Sequence, residues 1–242
     1  MLLDSVINRK LKRNCLDYSC LVGFGDRGVG KSSVMALISS VANADGRDVY
    51  CQYPYKDTYK IPTKMRKENG ISILDVDKDW LYSHKFKPYS VIMLDEGSTI
   101  WPARNFKKWN ERDTMFFNFI RKEHILIVIF TQYYDQLDLN VKRAADETWF
   151  LEQSLWFPNL TRIEASITKN VKIADKNTEV LGTAFKRGAR KVSFDVCEIP
   201  KHNYRFYRKP YYNDFDTDYV PFMKVELPVP LWNDVYPQLN ST

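Results

Sequence analysis

The 242-residue chain is 44% hydrophobic and 27% charged, an ordinary balance that excludes extensive disorder and allows one large α/β domain or a core with a small appendage. Its net charge of +6 tilts it towards anionic partners, although a solvated basic face gives the same figure about as readily. Cys15, Cys20, Cys51 and Cys197 form neither a C-x-x-C pair nor a Cys/His cluster of zinc spacing, which points to reduced thiols in a cytoplasm, and no apolar run approaches the ~18 residues of a membrane span.

The first segment, 1–17, carries Lys10, Lys12 and Arg13 in its middle and lacks the continuous apolar stretch of a secretory signal. Its Leu2, Leu3, Val6, Ile7 and Leu11 share one helical face, so a helix packed on the following domain is predicted. Tyr18 to Gly23 then reads as a short buried strand. It runs into LVGFGDRGVGKSS, where Gly25, Gly30, Lys31 and Ser32 occupy the set positions of the phosphate-binding G-x-x-x-x-G-K-[ST] loop. Glycines are needed there because backbone N–H groups must turn inward on an anion. Gly25, Asp26, Arg27, Gly28, Val29, Gly30, Lys31, Ser32 and Ser33 are therefore the predicted nucleotide-binding residues, with ATP as ligand. Lys31 reaches the β and γ phosphates and Ser32 offers its hydroxyl to Mg²⁺. Ser32 to Val41 supplies the helix whose N-terminus faces those phosphates.

After turn residues at 42–47, Val49 to Gln52 reads as a second strand. Pro54 to Gly70 reads as a polar surface excursion in which Lys56, Lys60, Lys64, Arg66 and Lys67 alternate with Tyr53, Tyr55 and Tyr59. That mixture suits a nucleic-acid backbone with stacked bases, or simply a solvated loop. Ile71 to Val76 is a predicted third sheet strand, and Tyr89 to Asp95 a fourth. The fourth ends in Asp95 and Glu96, the Walker B form, in which a buried parallel strand delivers carboxylates beside the phosphate loop. Asp95 is assigned to Mg²⁺ and Glu96 to the attacking water. A strand between the loop and this acidic pair marks the additional-strand, catalytic-glutamate class of P-loop NTPases. Residues 97–108 read as a loop holding Trp101, Pro102 and Arg104. Asn110 to Lys122 reads as a helix with its apolar face at Met115, Phe116, Phe119 and Ile120, and Ile125 to Thr131 as a fully buried strand. Gln132 follows at the strand end, as a γ-phosphate sensor or as a polar cap.

The run DEGSTIWPARNF, the helix ending in basic residues, ILIVIFTQ and then QLDLNVKRAADETWFL together resemble the ATPase domain of the zonula occludens toxin (Zot) proteins, the gene I type assembly ATPases of filamentous phages within the HerA/FtsK superfamily of DNA-translocating motors. The resemblance spans about Leu21 to Phe150. The aromatic-Pro-Ala-Arg after the acidic pair and the strand ending in Thr-Gln are its narrower markers, and Arg121 and Lys122 stand where the family has a His-Arg pair. It implies a DNA motor for phage assembly or genome packaging, with viral DNA and phage or host membrane assembly proteins as partners; the membrane span that follows the ATPase in many Zot proteins is not found here, so any membrane contact is expected through a partner. It also implies a homo-oligomeric ring, usually a hexamer, in which a neighbour supplies an arginine to the phosphate. Arg143, in a segment expected at the carboxyl-terminal rim of the sheet, is the first candidate and Arg121 the second; either could equally be a surface ion-pair partner. The rival readings are a P-loop regulatory or partition switch that binds a protein and never moves DNA, and a non-enzymatic structural component that keeps a nucleotide site only for assembly.

Beyond Phe150, Thr161 to Asn170 and Arg190 to Ile199 read as strands. Lys186, Arg187, Arg190 and Lys191 form a basic cluster, and Tyr204 to Tyr219 reads as a tail held by aromatics. The proline-rich stretch from Val220 should be extended. The predicted architecture is thus an α/β P-loop NTPase of RecA-like type with about five mainly parallel strands, divided into an N-terminal helix (1–17), an ATPase core (18–155) and a small strand-rich C-terminal appendage with its tail (156–242).

Overall fold

The computed structural model describes residues 2–68, 71–103, 109–170, 190–191 and 196–215. In chain order the elements are α1 (Leu2–Ile7), α2 (Arg9–Asn14), β1 (Cys20–Phe24), α3 (Lys31–Ala44), β2 (Val49–Cys51), β3 (Tyr59–Lys60), β4 (Thr63–Glu68), β5 (Ile71–Val76), α4 (Lys78–Ser83), β6 (Val91–Leu94), α5 (Gly97–Ile100), α6 (Glu111–Lys122), β7 (Leu126–Thr131), α7 (Leu139–Ala144), β8 (Glu147–Gln153), β9 (Leu160–Asn170), β10 (Arg190–Lys191) and β11 (Val196–Tyr207). A nine-stranded sheet runs β10-β11-β9-β8-β1-β7-β6-β2-β3. From β8 to β3 all neighbours are parallel, and β9, β11 and β10 extend the sheet antiparallel. The mainly parallel P-loop fold with C-terminal strands is as predicted.

The centre of the sheet is dry on both sides because β1 and β7 are apolar up to the buried Thr131 that ends β7. Leu21, Leu126, Val128 and Phe130 face α3, while Cys20, Val22, Ile127 and Ile129 face α5, α6 and α7. Gly23 sits in register with Phe130, and a Cβ there would run into the Phe130 ring. The two central strands close up only because that side chain is missing.

Several predicted details are corrected. Ile71–Val76 is a strand, but it pairs antiparallel with β4 in a separate two-stranded sheet. The strand that lies between β1 and β6 is β7, and β7 therefore meets the additional-strand criterion. The predicted 54–70 excursion is packed on the domain in its first part, where Tyr55, Thr58, Lys60 and Ile61 are buried and Tyr59 stacks on Tyr50, while exposed Lys64 pairs with Asp77 and Asp79. The N-terminal helix divides into α1 and α2 at buried Asn8, which keeps helical backbone bonds to Asp4 and Lys12 while its side chain bonds the end of β11. Its Nδ2 donates to the Tyr207 carbonyl at 3.0 Å, and its Oδ1 accepts the Tyr207 N–H at 2.8 Å. Leu11 is buried there, whereas Val6 is exposed. The tail expectation is met in part, since Tyr204 and Tyr211 are buried. Lys186, Arg187, Arg104 and the residues from Val220 lie outside the described residues, and residues 97–100 form the short helix α5 rather than loop.

Helix α6 starts where Asn110 caps it, in a reciprocal capping box with Asp113. Its buried face is Asp113, Phe116, Phe117 and Ile120, while Met115 and Phe119 are exposed. The face is rotated from the predicted one because Asp113 is its anchor. The Asp113 carboxylate, wholly buried, accepts from Trp101 Nε1 at 2.8 Å, from Lys78 Nζ at 3.1 Å, from the Tyr82 hydroxyl and from the Asn110 N–H. Burial would raise its pKa, but these donors, Tyr82 foremost, hold it below the usual carboxylate value. One carboxylate thus ties α4, α6 and the Trp101 segment that follows the acidic pair. Asp113→Ala leaves the indole N–H and the phenol without an acceptor in the core and should cost about 3 kcal/mol. The check is a lowered urea midpoint with unchanged slope; a midpoint equal to the parental one would show that the network carries no stability.

Candidate active site

β1 ends at Phe24 and the chain turns through the glycine-rich loop into α3. Gly30 caps that helix with φ 102°, and a Cβ there would strike the side chains of Arg208 and Thr161. Glycine is therefore required by conformation and by space at once. The fourteen residues of α3 begin without a capping side chain, so the first-turn N–H groups that no helix satisfies internally stay available to an anion. Lys31 is 9% exposed, and its Nζ donates to the carbonyls of Gly25 at 2.7 Å and Asp26 at 3.0 Å. Burial lowers the Lys31 pKa, while Asp95, Glu96 and Asp26 oppose the shift. The ammonium and the acidic pair therefore share one electrostatic environment. Ser32 lies beside the buried phenol of Tyr55.

The acidic pair follows β6 directly. Asp95 receives its neighbour's N–H, from Glu96, on Oδ1 at 2.9 Å, and its own N–H goes to Gln52 Oε1 at 3.2 Å. Burial first, and then the Glu96 charge, push the Asp95 pKa up to about 6. Glu96 adopts φ 51°, ψ 47°, a left-handed conformation that costs a non-glycine residue on the order of 1 kcal/mol and is concentrated at functional sites. From there its Oε1 accepts a hydrogen bond from Gln132 Nε2 at 2.8 Å. The strand order explains the meeting, since β7 lies between β1 and β6 and so brings Gln132 between the loop and the acidic pair.

The loop is also held from outside. Thr161 Oγ1, on β9, donates to the Val29 carbonyl at 2.5 Å. Arg208, just past β11, donates from Nη1 to the Gly28 carbonyl at 2.6 Å and from Nη2 to the Pro158 carbonyl. Neither residue was singled out from the sequence, and no local signal marks them. Gln52 was also missed, although it ends an apolar strand just as Gln132 does.

The two candidate arginines are not brought to this rim. Arg121 Nη2 stands 3.6 Å from Asp146 Oδ1, and Asp146 Oδ2 accepts the N–H groups of Ser19 and Cys20 at the start of β1. Arg143 lies in the last turn of α7, three residues before Asp146, whose N–H bonds to the Cys20 carbonyl. Helix α7 is a crossover that carries the chain back across the sheet. The predicted carboxyl-terminal rim for Arg143 is thus corrected to the amino-terminal one, roughly 16 Å away along five residues of β1.

The Asp95 shift has a sign that can be tested. A carboxyl whose pKa rises from 3.8 to about 6 on folding holds its proton more tightly in the fold, so the free protein loses stability as pH rises through that window and stays less stable above it. Asp95→Asn removes the loss. The variant should be more stable than the parent by about 1–3 kcal/mol at pH 7.5 and nearly equal to it at pH 4.5, as read from urea midpoints at the two pH values. A gain independent of pH would refute the assignment.

No protein-family model and no curated protein matches the sequence. Among solved structures the chain is similar to the N-terminal domain of zonular occludens toxin from Neisseria meningitidis, with 16% identity, coverage of 81% of this chain and 98% of that one, and a TM-score of 0.48. It is similar to the genome packaging NTPase B204 from Sulfolobus turreted icosahedral virus 2 in complex with ATP-gammaS, with 15% identity, coverage of 56% and 75%, and a TM-score of 0.40. It is also similar to the FIGL-1 AAA domain in complex with ADP, with 15% identity, coverage of 62% and 50%, and a TM-score of 0.36. All three scores fall below 0.5, so the P-loop fold stands on this chain's own strand order and loop geometry.

Proposed function

We propose that the chain is an ATP-hydrolysing motor acting on viral or plasmid DNA in phage assembly or genome packaging. The observation that carries the hydrolytic part is the insertion of β7 between β1 and β6, with Gln132 bonded to Glu96 on the rim where the phosphate loop begins. The DNA part is supported by the sequence resemblance to Zot-type assembly ATPases over 21–150. The proposed motor is a homo-oligomeric ring, a hexamer, in the host cytoplasm, and it reaches the membrane only through phage or host assembly proteins. No helix of the described residues is long and apolar enough to cross a membrane.

The residues fit ATP and Mg²⁺. The uncapped N-terminus of α3 and the inward Lys31 suit a phosphate, and a half-buried Asp95 carboxyl with a raised pKa, which shares the Tyr55 phenol as a neighbour with Ser32, suits a hard cation. Ser32 and Asp95 would hold Mg²⁺, which when bound would supply neutralisation of phosphate charge. Lys31 exchanges its two loop carbonyls for phosphate oxygens, so its charge is kept indoors until substrate arrives. Gln132 orients the Glu96 carboxylate through its amide, and Glu96 takes the proton of the attacking water. A trans arginine from Arg143 or Arg121 would require the neighbour to present its amino-terminal rim to this loop.

Lys31→Ala should abolish nucleotide binding, whereas Glu96→Gln should keep ATP bound and lower turnover by about 10²-fold or more. Calorimetry and phosphate release separate the two, and parental turnover in Glu96→Gln would remove Glu96 from the reaction. DNA should stimulate hydrolysis several-fold in an assembly whose native mass is a multiple of the 28.6 kDa chain. A monomer whose turnover ignores DNA would instead favour the protein-binding switch.

A further inference from the structure

Arg208 is 6% exposed, yet its partners are neutral: the Gly28 and Pro158 carbonyls take Nη1 and Nη2, and Nε has no hydrogen-bond partner. Among the described residues no carboxylate forms an ion pair with it. An arginine does not lose its proton in a protein, and a buried charge without a counter-charge is expensive. Carbonyl dipoles offset part of that cost, but they leave a net positive charge against the loop. The location is specific. The side chain crosses the outside of Gly28 and fills the space where Gly30 would carry a Cβ, one residue from Lys31. The same guanidinium also holds Pro158, at the tip of the β8–β9 hairpin, to the loop, while the Arg208 N–H donates to the Asn159 carbonyl at 2.9 Å.

We propose that Arg208 is a further cationic residue of the phosphate site, supplied by the same chain, whose buried charge is balanced by the phosphates of a nucleoside triphosphate and which sets the loop for them as a positioning residue. This rests on the nucleotide-binding reading above and deepens it: besides Lys31 and the exposed Arg27 of the loop itself, a second buried cation comes from the end of β11, and the site has it whether or not a neighbour contributes another. The acidic residues near the loop do not take this role. Asp26 is exposed, and Asp95 and Glu96 already face Lys31.

The test separates charge from tethering. Pyrophosphate binding to the full chain is measured by calorimetry over a range of salt concentrations for the parent, Arg208→Gln, which keeps amide donors without charge, and Arg208→Lys, which keeps charge without the two-pronged bridge. The expectation is that Arg208→Gln loses about tenfold or more in affinity with a shallower salt dependence, and that Arg208→Lys stays within about threefold at the parental slope. Arg208→Gln binding within threefold of the parent, or both variants losing equally at an unchanged slope, would overturn the proposal and leave Arg208 as a structural tie. If Arg208→Gln does not fold, by circular dichroism, Arg208→Lys decides alone: retained affinity and slope support the inference, and a tenfold loss overturns it. A parent that binds neither pyrophosphate nor ATP, and that Lys31→Ala does not change, would remove the nucleotide reading itself, a result distinct from a binding-competent parent indifferent to Arg208.

Discussion

The structure depends on keeping opposite charges together at the dry end of an apolar sheet. β1, β6 and β7 are buried along their whole length, so whatever polar groups appear at their carboxyl ends stand at a low-dielectric boundary where each interaction is stronger than in water. Asp95 and Glu96 are placed at that boundary by the end of β6, and Lys31 by the first turn of α3. Lys31 meets its own loop carbonyls and Asp95 carries a raised pKa, so neither is fully compensated in the free protein. That is the state a phosphate and a divalent cation would relieve together, and it gives a physical reason for charged groups to stand at a rim that apolar residues would stabilise better.

The outer brace of the loop has a different origin. The β8–β9–β11 sheet could end at β8 without disturbing the order of β1, β6 and β7, yet it is these added strands that carry Thr161 and Arg208 to the loop. Their hydrogen bonds to Val29 and Gly28 span 132 and 180 residues of sequence. The antiparallel extension is in this sense part of the site: it limits the conformations open to a glycine-rich turn that would otherwise lose much entropy on ordering.

What could be read from sequence follows the range over which each signal acts. The loop, the acidic pair and Gln132 are local, because a short apolar run and the polar residue ending it determine one strand and its rim. Ile71–Val76 was legible as a strand and misplaced as a sheet member, since its alternating pattern says nothing about its partner, and the antiparallel mate Thr63–Glu68 is mostly charged or polar. The α6 face was turned because apolar periodicity gives no weight to Asp113, a carboxylate that is buried only because Trp101, Lys78 and Tyr82 meet it. Arg143 was placed at the wrong rim for a topological reason: the residues between two parallel strands must recross the sheet, so a residue three positions before the next strand belongs to its amino end. Arg208 had no readable signal, because its neighbours in space come from the loop and a hairpin far away in the chain.

The same geometry joins the acidic pair to the rest of the molecule. Gln132 is followed by a segment whose Tyr134 stacks on Phe24 with ring centroids 4.7 Å apart, and Phe24 in turn lies 5.4 Å from Phe150. The carboxyl ends of β7, β1 and β8 are therefore tied by three aromatic rings. Two further bonds cross between the segments after the acidic pair and after Gln132: Ala103 N–H to the Gln136 carbonyl at 2.8 Å, and Asp138 N–H to the Trp101 carbonyl at 2.9 Å. Strain at Glu96, where a glutamate holds a left-handed backbone, places stored energy at the head of this linkage. The segments downstream reach Asp113 through Trp101 and reach α7 through Asp138. Contacts already present in the free chain thus join the acidic pair to α6 and α7 on the far face of the sheet.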